Sequence, residues 1–166
     1  MGGRSVILIT IGSLFPFDRL IRVVDALAPS WPQEAFFAQI GDGEYEPANM
    51  KFSRMLSANA FAEAVKSARL IIAHAGMGSV ITAMEANKPI VILPRKMEFD
   101  EHTTDHQMAT ARWLTGRRGV YVALEDSHLR SVIDEALSID MGREGQLPPS
   151  APTEFLTKIR DYIEGI

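Results

Sequence analysis

The sequence predicts an α/β domain built on a parallel sheet with helices on both faces. Three observations predict it: short apolar runs without a polar face, helical-period segments between them, and turn residues at the joins. Val6-Ile-Leu-Ile-Thr-Ile11 is β-branched throughout and ends at Gly12-Ser13, as a strand buried on both sides must. Phe17, Leu20, Ile21, Val24 and Leu27 then recur at helical spacing until Pro29, so residues 17–28 are expected as a helix. A second strand is expected over 35–40, stopped by Gly41-Asp-Gly43, and a short third one near 51–56. Residues 61–67 read as a short helix, 70–73 as a strand and 79–86 as a helix behind a glycine turn. Pro89-Ile-Val-Ile-Leu-Pro94 is a further buried strand, followed by a polar loop and a helix over 105–114. A last strand (120–124), a helix (129–137), a Gly/Pro-rich loop (141–152) and a terminal helix (153–163) complete the chain. Strands that alternate with helices at such short intervals form βαβ units, and right-handed crossovers then make the sheet parallel.

The 166 residues amount to one domain, residues 1–166, and a 46% hydrophobic content is enough for a core. With no cysteine there is no disulfide framework, no thiolate metal site and no thiol nucleophile, which fits a reducing compartment; the cytoplasm is the expected location. The net charge of -4 comes from 17 basic and 21 acidic residues spread along the chain, so no basic stripe for nucleic acid exists. The apolar runs fall far short of the ~20 residues that span a bilayer. Arg4 is followed by a strand-length run without a small-residue cleavage site, which excludes a secretory signal.

Ligands of such a sheet bind outside the carboxyl ends of the strands, where the loops at Gly12, His74 and Pro94 share one rim. His74-Ala-Gly-Met-Gly-Ser79 is the richest of them. Gly76 and Gly78 let backbone amides approach a ligand, and Ser79 is expected to open a helix whose free N–H groups favour an anion. Each dipole contact contributes only ~0.3–1 kcal/mol, so a diphosphate needs several converging donors. The plainer alternative is a tight turn, with Ser79 as cap and His74 as a satisfied strand-end residue.

A second polar cluster, Glu98-Phe-Asp-Glu-His-Thr-Thr-Asp-His-Gln107, follows one βα unit later. His102 and His106 lack the His-Glu-x-x-His spacing of a helical zinc site, so no metal site is expected. Glu98, Asp100 and Glu101 read as a solvated face, as do Arg95 and Lys96, and Asp105 as a carboxylate complementing the helix dipole.

The segment Ile72-Ala-His-Ala-Gly-Met-Gly-Ser79, continuing through Pro94 to Asp105-His-Gln-Met-Ala-Thr-Ala111, resembles the C-terminal domain of glycosyltransferase family 28. It is most similar to single-domain members: PssE-like subunits of bacterial exopolysaccharide and capsule synthesis, and the catalytic subunit of the dolichol-pathway UDP-GlcNAc transferase. Thr10-Ile-Gly-Ser13 and Phe17-Asp-Arg-Leu20 extend the likeness over nearly the whole chain. The resemblance implies a Rossmann-like sheet equivalent to the donor half of a GT-B enzyme. It also implies that Gly12, Ser13, His74, Gly76, Met77, Gly78, Ser79 and Thr82 surround UDP, and that His106 and Gln107 face the sugar. Many relatives have a carboxylate where this chain has Thr82, with Glu85 one turn further on, so a bidentate ribose grip is lost.

The implied reaction is inverting transfer from a UDP-sugar to a polyprenyl-linked acceptor, without a cofactor, in exopolysaccharide or capsule synthesis. The resemblance further implies a membrane-anchored subunit, similar to a GT-B N-terminal half, that binds the lipid-linked acceptor and holds this chain at the cytoplasmic face. A general base must take the acceptor's proton, and His74 and His102 are the candidates. Competing roles are a noncatalytic enhancer subunit, a UDP-sugar epimerase and a plain dinucleotide-binding domain. The last is weakest, because no Gly-x-Gly-x-x-Gly follows the first strand.

Overall fold

The computed structural model describes residues 5–139. The expected terminal helix (153–163) and the loop before it lie outside them. Among the described residues six strands form one parallel sheet: β1 (Ser5–Thr10), β2 (Glu34–Gln39), β3 (Lys51–Ser53), β4 (Ala68–His74), β5 (Ile90–Leu93) and β6 (Val120–Val122). Their order is β3-β2-β1-β4-β5-β6, and every neighbouring pair runs parallel. The helices are α1 (Asp18–Leu27), α2 (Ala58–Ser67), α3 (Met77–Glu85), α4 (His106–Leu114) and α5 (Leu129–Ser138). No helix among the described residues is long and apolar enough to cross a membrane.

Successive strand residues point to opposite faces, and the sequence supplies apolar side chains to both. Ile7, Ile9, Leu70, Ile72, Val91 and Leu93 pack with Leu20, Ile21 and Val24 of α1 and Leu129 and Ile133 of α5. The alternate residues Leu8, Ile71, Ala73, Ile90 and Ile92 pack on the other face with Val65, Val80, Ala83, Ala111 and Leu114. Two cores therefore sandwich the sheet, which is why its central strands read as unbroken apolar runs.

Two helix starts differ from the sequence expectation. α2 begins at Ala58, because the Ser57 hydroxyl accepts from the Ala60 amide at 3.2 Å and caps a first turn that has no apolar pattern of its own. α3 begins at Met77 with Gly76 at the cap position in an extended conformation, so Ser79 lies inside the first turn and caps nothing.

The strand order reverses direction between β1 and β4. Their carboxyl ends diverge into connections on opposite sides of the sheet, and a crevice opens where they part.

Candidate functional site

A cleft of about 610 Å³ occupies that crevice. Thr10, Gly12 and Ser13 reach it from the end of β1, Gln39 from β2, His74 from β4, Gly78, Ser79 and Thr82 from α3, and Arg95, His102 and Gln107 from beyond β5. Leu14, Phe15, Met55, Leu56 and Phe61 give it an apolar flank. Of the residues expected around UDP and sugar, six of the eight UDP residues and Gln107 therefore meet here. Gly76, Met77 and His106 do not line the cleft.

The glycine bend is built around the His74 ring. A Cβ on Gly76 would lie 2.2 Å from Nε2 of His74, and one on Gly12 would lie 2.8 Å from its Cε1. Both glycines thus leave room for the imidazole, and Gly12 also has a φ of +76°, which disfavours any side chain. Gly78 differs: a Cβ there meets nothing within 4 Å. The residue that leaves space for a ligand is Gly78, whereas Gly76 leaves space for His74.

Burial, helped by the charge of Arg95, lowers the pKa of His74 to about 4. The ring is therefore neutral near pH 7 and lends no positive charge to an anion. What remains for an anion is the open end of α3. Gly76 offers no capping side chain, which leaves the first amides of the helix, at Met77, Gly78 and Ser79, without one.

The first loop is fixed by polar contacts beneath the cleft. The buried Thr10 hydroxyl donates to Oε1 of Gln39 at 2.8 Å, and Nε2 of Gln39 donates to the Gly12 carbonyl at 3.1 Å. Two isolated polar residues on different strands gave no motif from which this pair could be read.

The segment after β5 overturns the solvated reading of three residues. Arg95 is 3% exposed and Lys96 8%. Nη2 of Arg95 donates to the carbonyls of Ile11 and Phe15 at 2.7 and 2.5 Å, and the Arg95 amide donates to Oε1 of Gln107 at 3.1 Å. Glu101 accepts twice from Arg19 at 2.7 Å and again from the Lys96 amide at 3.0 Å. Arg19 also pairs with Asp126 and donates to the Pro94 carbonyl. Glu98 and Asp100 are exposed, as expected. Asp105 stands at the cap position of α4 without capping it, and its carboxylate accepts from the Met97 amide.

His102 lines the cleft edge-to-face with Phe15, their ring centroids 5.5 Å apart. Its Nδ1 accepts from the Thr104 amide at 3.2 Å, so the neutral ring carries its proton on Nε2. His106, at the exposed start of α4, is on the outside.

The C-terminal domain model of glycosyltransferase family 28 matches residues 6–162. No curated protein sequence matches the chain. Among solved structures, ALG13 superposes with a TM-score of 0.55 at 15% identity, over 89% of this chain and 90% of that one. The MurG of Acinetobacter baumannii gives 0.55 at 22% identity, over 86% of this chain and 43% of MurG. Os79 from O. sativa, solved in complex with UDP, gives 0.56 at 18% identity, over 81% and 31%. The chain spans less than half the length of these two and of other glycosyltransferases that it matches. At these identities the structures establish a shared fold, that of a GT-B C-terminal domain. With the family model covering almost all of its length, the chain belongs to glycosyltransferase family 28 through that family's C-terminal domain.

Proposed function

We propose that the cleft binds a UDP-sugar and that the chain is the donor half of an inverting transferase whose acceptor half is a second subunit. One observation carries this reading: the uncapped start of α3, made approachable by Gly78, lies on the same cleft as Gly12 and Gln107. Amides fixed there stabilise the charge that grows on the departing diphosphate better than reorganising water does. The UDP in the Os79 structure supports the choice of nucleotide.

The side chains around the cleft support a two-part enzyme. Among the described residues, no Asp or Glu lines it. His74 is a base too weak for the task, with its pKa near 4, and His102 already uses the Nδ1 lone pair of its neutral form. The group that takes the acceptor's proton is therefore assigned to the acceptor side. In this reading the second subunit is membrane-anchored and presents a polyprenyl-linked acceptor, and the product enters exopolysaccharide or capsule synthesis.

Calorimetric titration of the purified chain with UDP tests the reading. UDP is expected to bind, and Ser79→Ala to weaken it about tenfold, the loss of one hydrogen bond to a charged group. A folded chain that ignores UDP refutes it. Interconversion of free UDP-sugars without an acceptor would favour the epimerase role instead.

A further inference from the structure

We propose that Arg95 is the counter-charge of the cleft: its Nη2 holds the loop after β1, and its Nη1 takes an anionic oxygen of the bound donor. The identity of the donor rests on the nucleotide-sugar reading above, whereas the need for an anion rests on the surroundings of Arg95 alone.

Those surroundings are unusual for a cation. Arg95 is 3% exposed, and among the described residues it forms no ion pair. Its Nη2 is spent on the carbonyls of Ile11 and Phe15, and its Cζ lies over the Phe17 ring, 5.1 Å from the centroid. Nε is buried with no hydrogen-bond partner, and Nη1 donates to nothing among the described residues. Glu101, the carboxylate whose charge reaches Arg95, is already held in two hydrogen bonds by Arg19.

A buried arginine without a carboxylate leaves desolvation uncompensated, and its unused Nη1 suits a phosphate or carboxylate oxygen. Arg95 lines the cleft, and among the described residues no other arginine or lysine and no acid does. An incoming anion therefore meets one fixed positive charge and no competing negative one. Burial lowers the Arg95 pKa to about 10, against the opposing pull of Glu101, which still leaves the group charged at pH 7. If Arg95 served only to staple the loop, Nη2 and the Phe17 contact would suffice, and Nη1 would gain nothing from its position.

The test compares the intact chain with Arg95→Lys and Arg95→Met by calorimetry against UDP, uridine and inorganic pyrophosphate, with thermal unfolding as the check on folding. UDP is expected to weaken by about tenfold or more in Arg95→Met and by less in Arg95→Lys, with uridine held within about twofold. Pyrophosphate is expected to raise the unfolding midpoint of the unmodified chain and not that of Arg95→Met. If UDP and uridine weaken by the same factor, Arg95 only shapes the loop and the proposal is overturned. Should Arg95→Met fail to fold, the ratio of UDP to uridine affinity in Arg95→Lys decides: about threefold lower supports the proposal, and an unchanged ratio overturns it.

UDP-glucose and UDP-glucuronate separate two sources of the anion. Equal weakening of both assigns the diphosphate, and a larger loss for the glucuronate adds the sugar carboxylate to it. Arg95-dependent pyrophosphate binding by a chain that binds neither UDP nor uridine would uphold the counter-charge and remove the nucleotide reading.

Discussion

The two principal loops of the cleft are held in place by opposite means. The bend after β4 is fixed by shape: the His74 ring fills the space left by Gly12 and Gly76, all within a few residues or one neighbouring strand. The segment after β5 is fixed by charge, through Arg19 on Glu101, Asp126 and the Pro94 carbonyl, and through Arg95 on the loop after β1. A loop held by shape tolerates salt and resists added bulk. One held by charge does the reverse.

Four measurements break or sharpen this contrast. The largest effect is expected from Gly76→Ala, whose new methyl group overlaps the His74 ring. Overpacking of this kind costs about 3 kcal/mol, read as a lower unfolding midpoint in denaturant, and an unaltered midpoint would show that the ring moves freely.

Acid should affect the bend next. His74 takes a proton near pH 6.5 in the unfolded chain and near pH 4 in the folded one, so the unfolded chain binds more protons between these values. Stability is then complete above pH 6.5 and declines as the pH falls toward 4, by about 3 kcal/mol in all. Unfolding curves of His74→Gln should lack that slope.

Arg19→Met leaves Glu101 without its partner beneath the second loop. Removing one member of a fully buried pair costs about 3–5 kcal/mol; with side-chain exposures of 14% and 9%, about 2 kcal/mol is expected here. High salt should narrow the gap between this variant and the parent chain, and should not do so for Gly76→Ala.

The smallest effect belongs to Gly78→Ala. Its methyl group meets nothing and replaces a glycine inside a helix, so stability should rise by up to about 1 kcal/mol while UDP affinity falls. Equal affinity in parent and variant would mean that no ligand approaches there.

The same contrast explains what the sequence revealed. The strands, α1 and the position of the bend were legible because their determinants are local: unbroken β-branched runs, a helical period, glycines beside a histidine. Of the five donor-site residues expected outside the bend, Gly12, Ser13, Thr82 and Gln107 line the cleft while His106 does not. Gly76 was read as letting amides approach a ligand and not as a partner of His74, since that requires knowing where the ring turns. Arg95, Lys96 and Glu101 were misread because charged residues in a polar stretch look solvated until residues far along the chain are brought beside them. Thr10 and Gln39 went unnoticed for the same reason, since pairing a hydroxyl with an amide needs the strand register.

The reach of Arg19 also sets an order of events. Its partners Glu101 and Asp126 lie 82 and 107 positions further along the chain. Contacts that span such distances form only after the intervening strands have paired, because closing a long loop costs entropy before any contact rewards it. The rim of the cleft is thus a late product of folding. A chain interrupted partway can hold β1, α1 and β2 and still have no place for a ligand, so recovery of binding during refolding should trail recovery of helical signal.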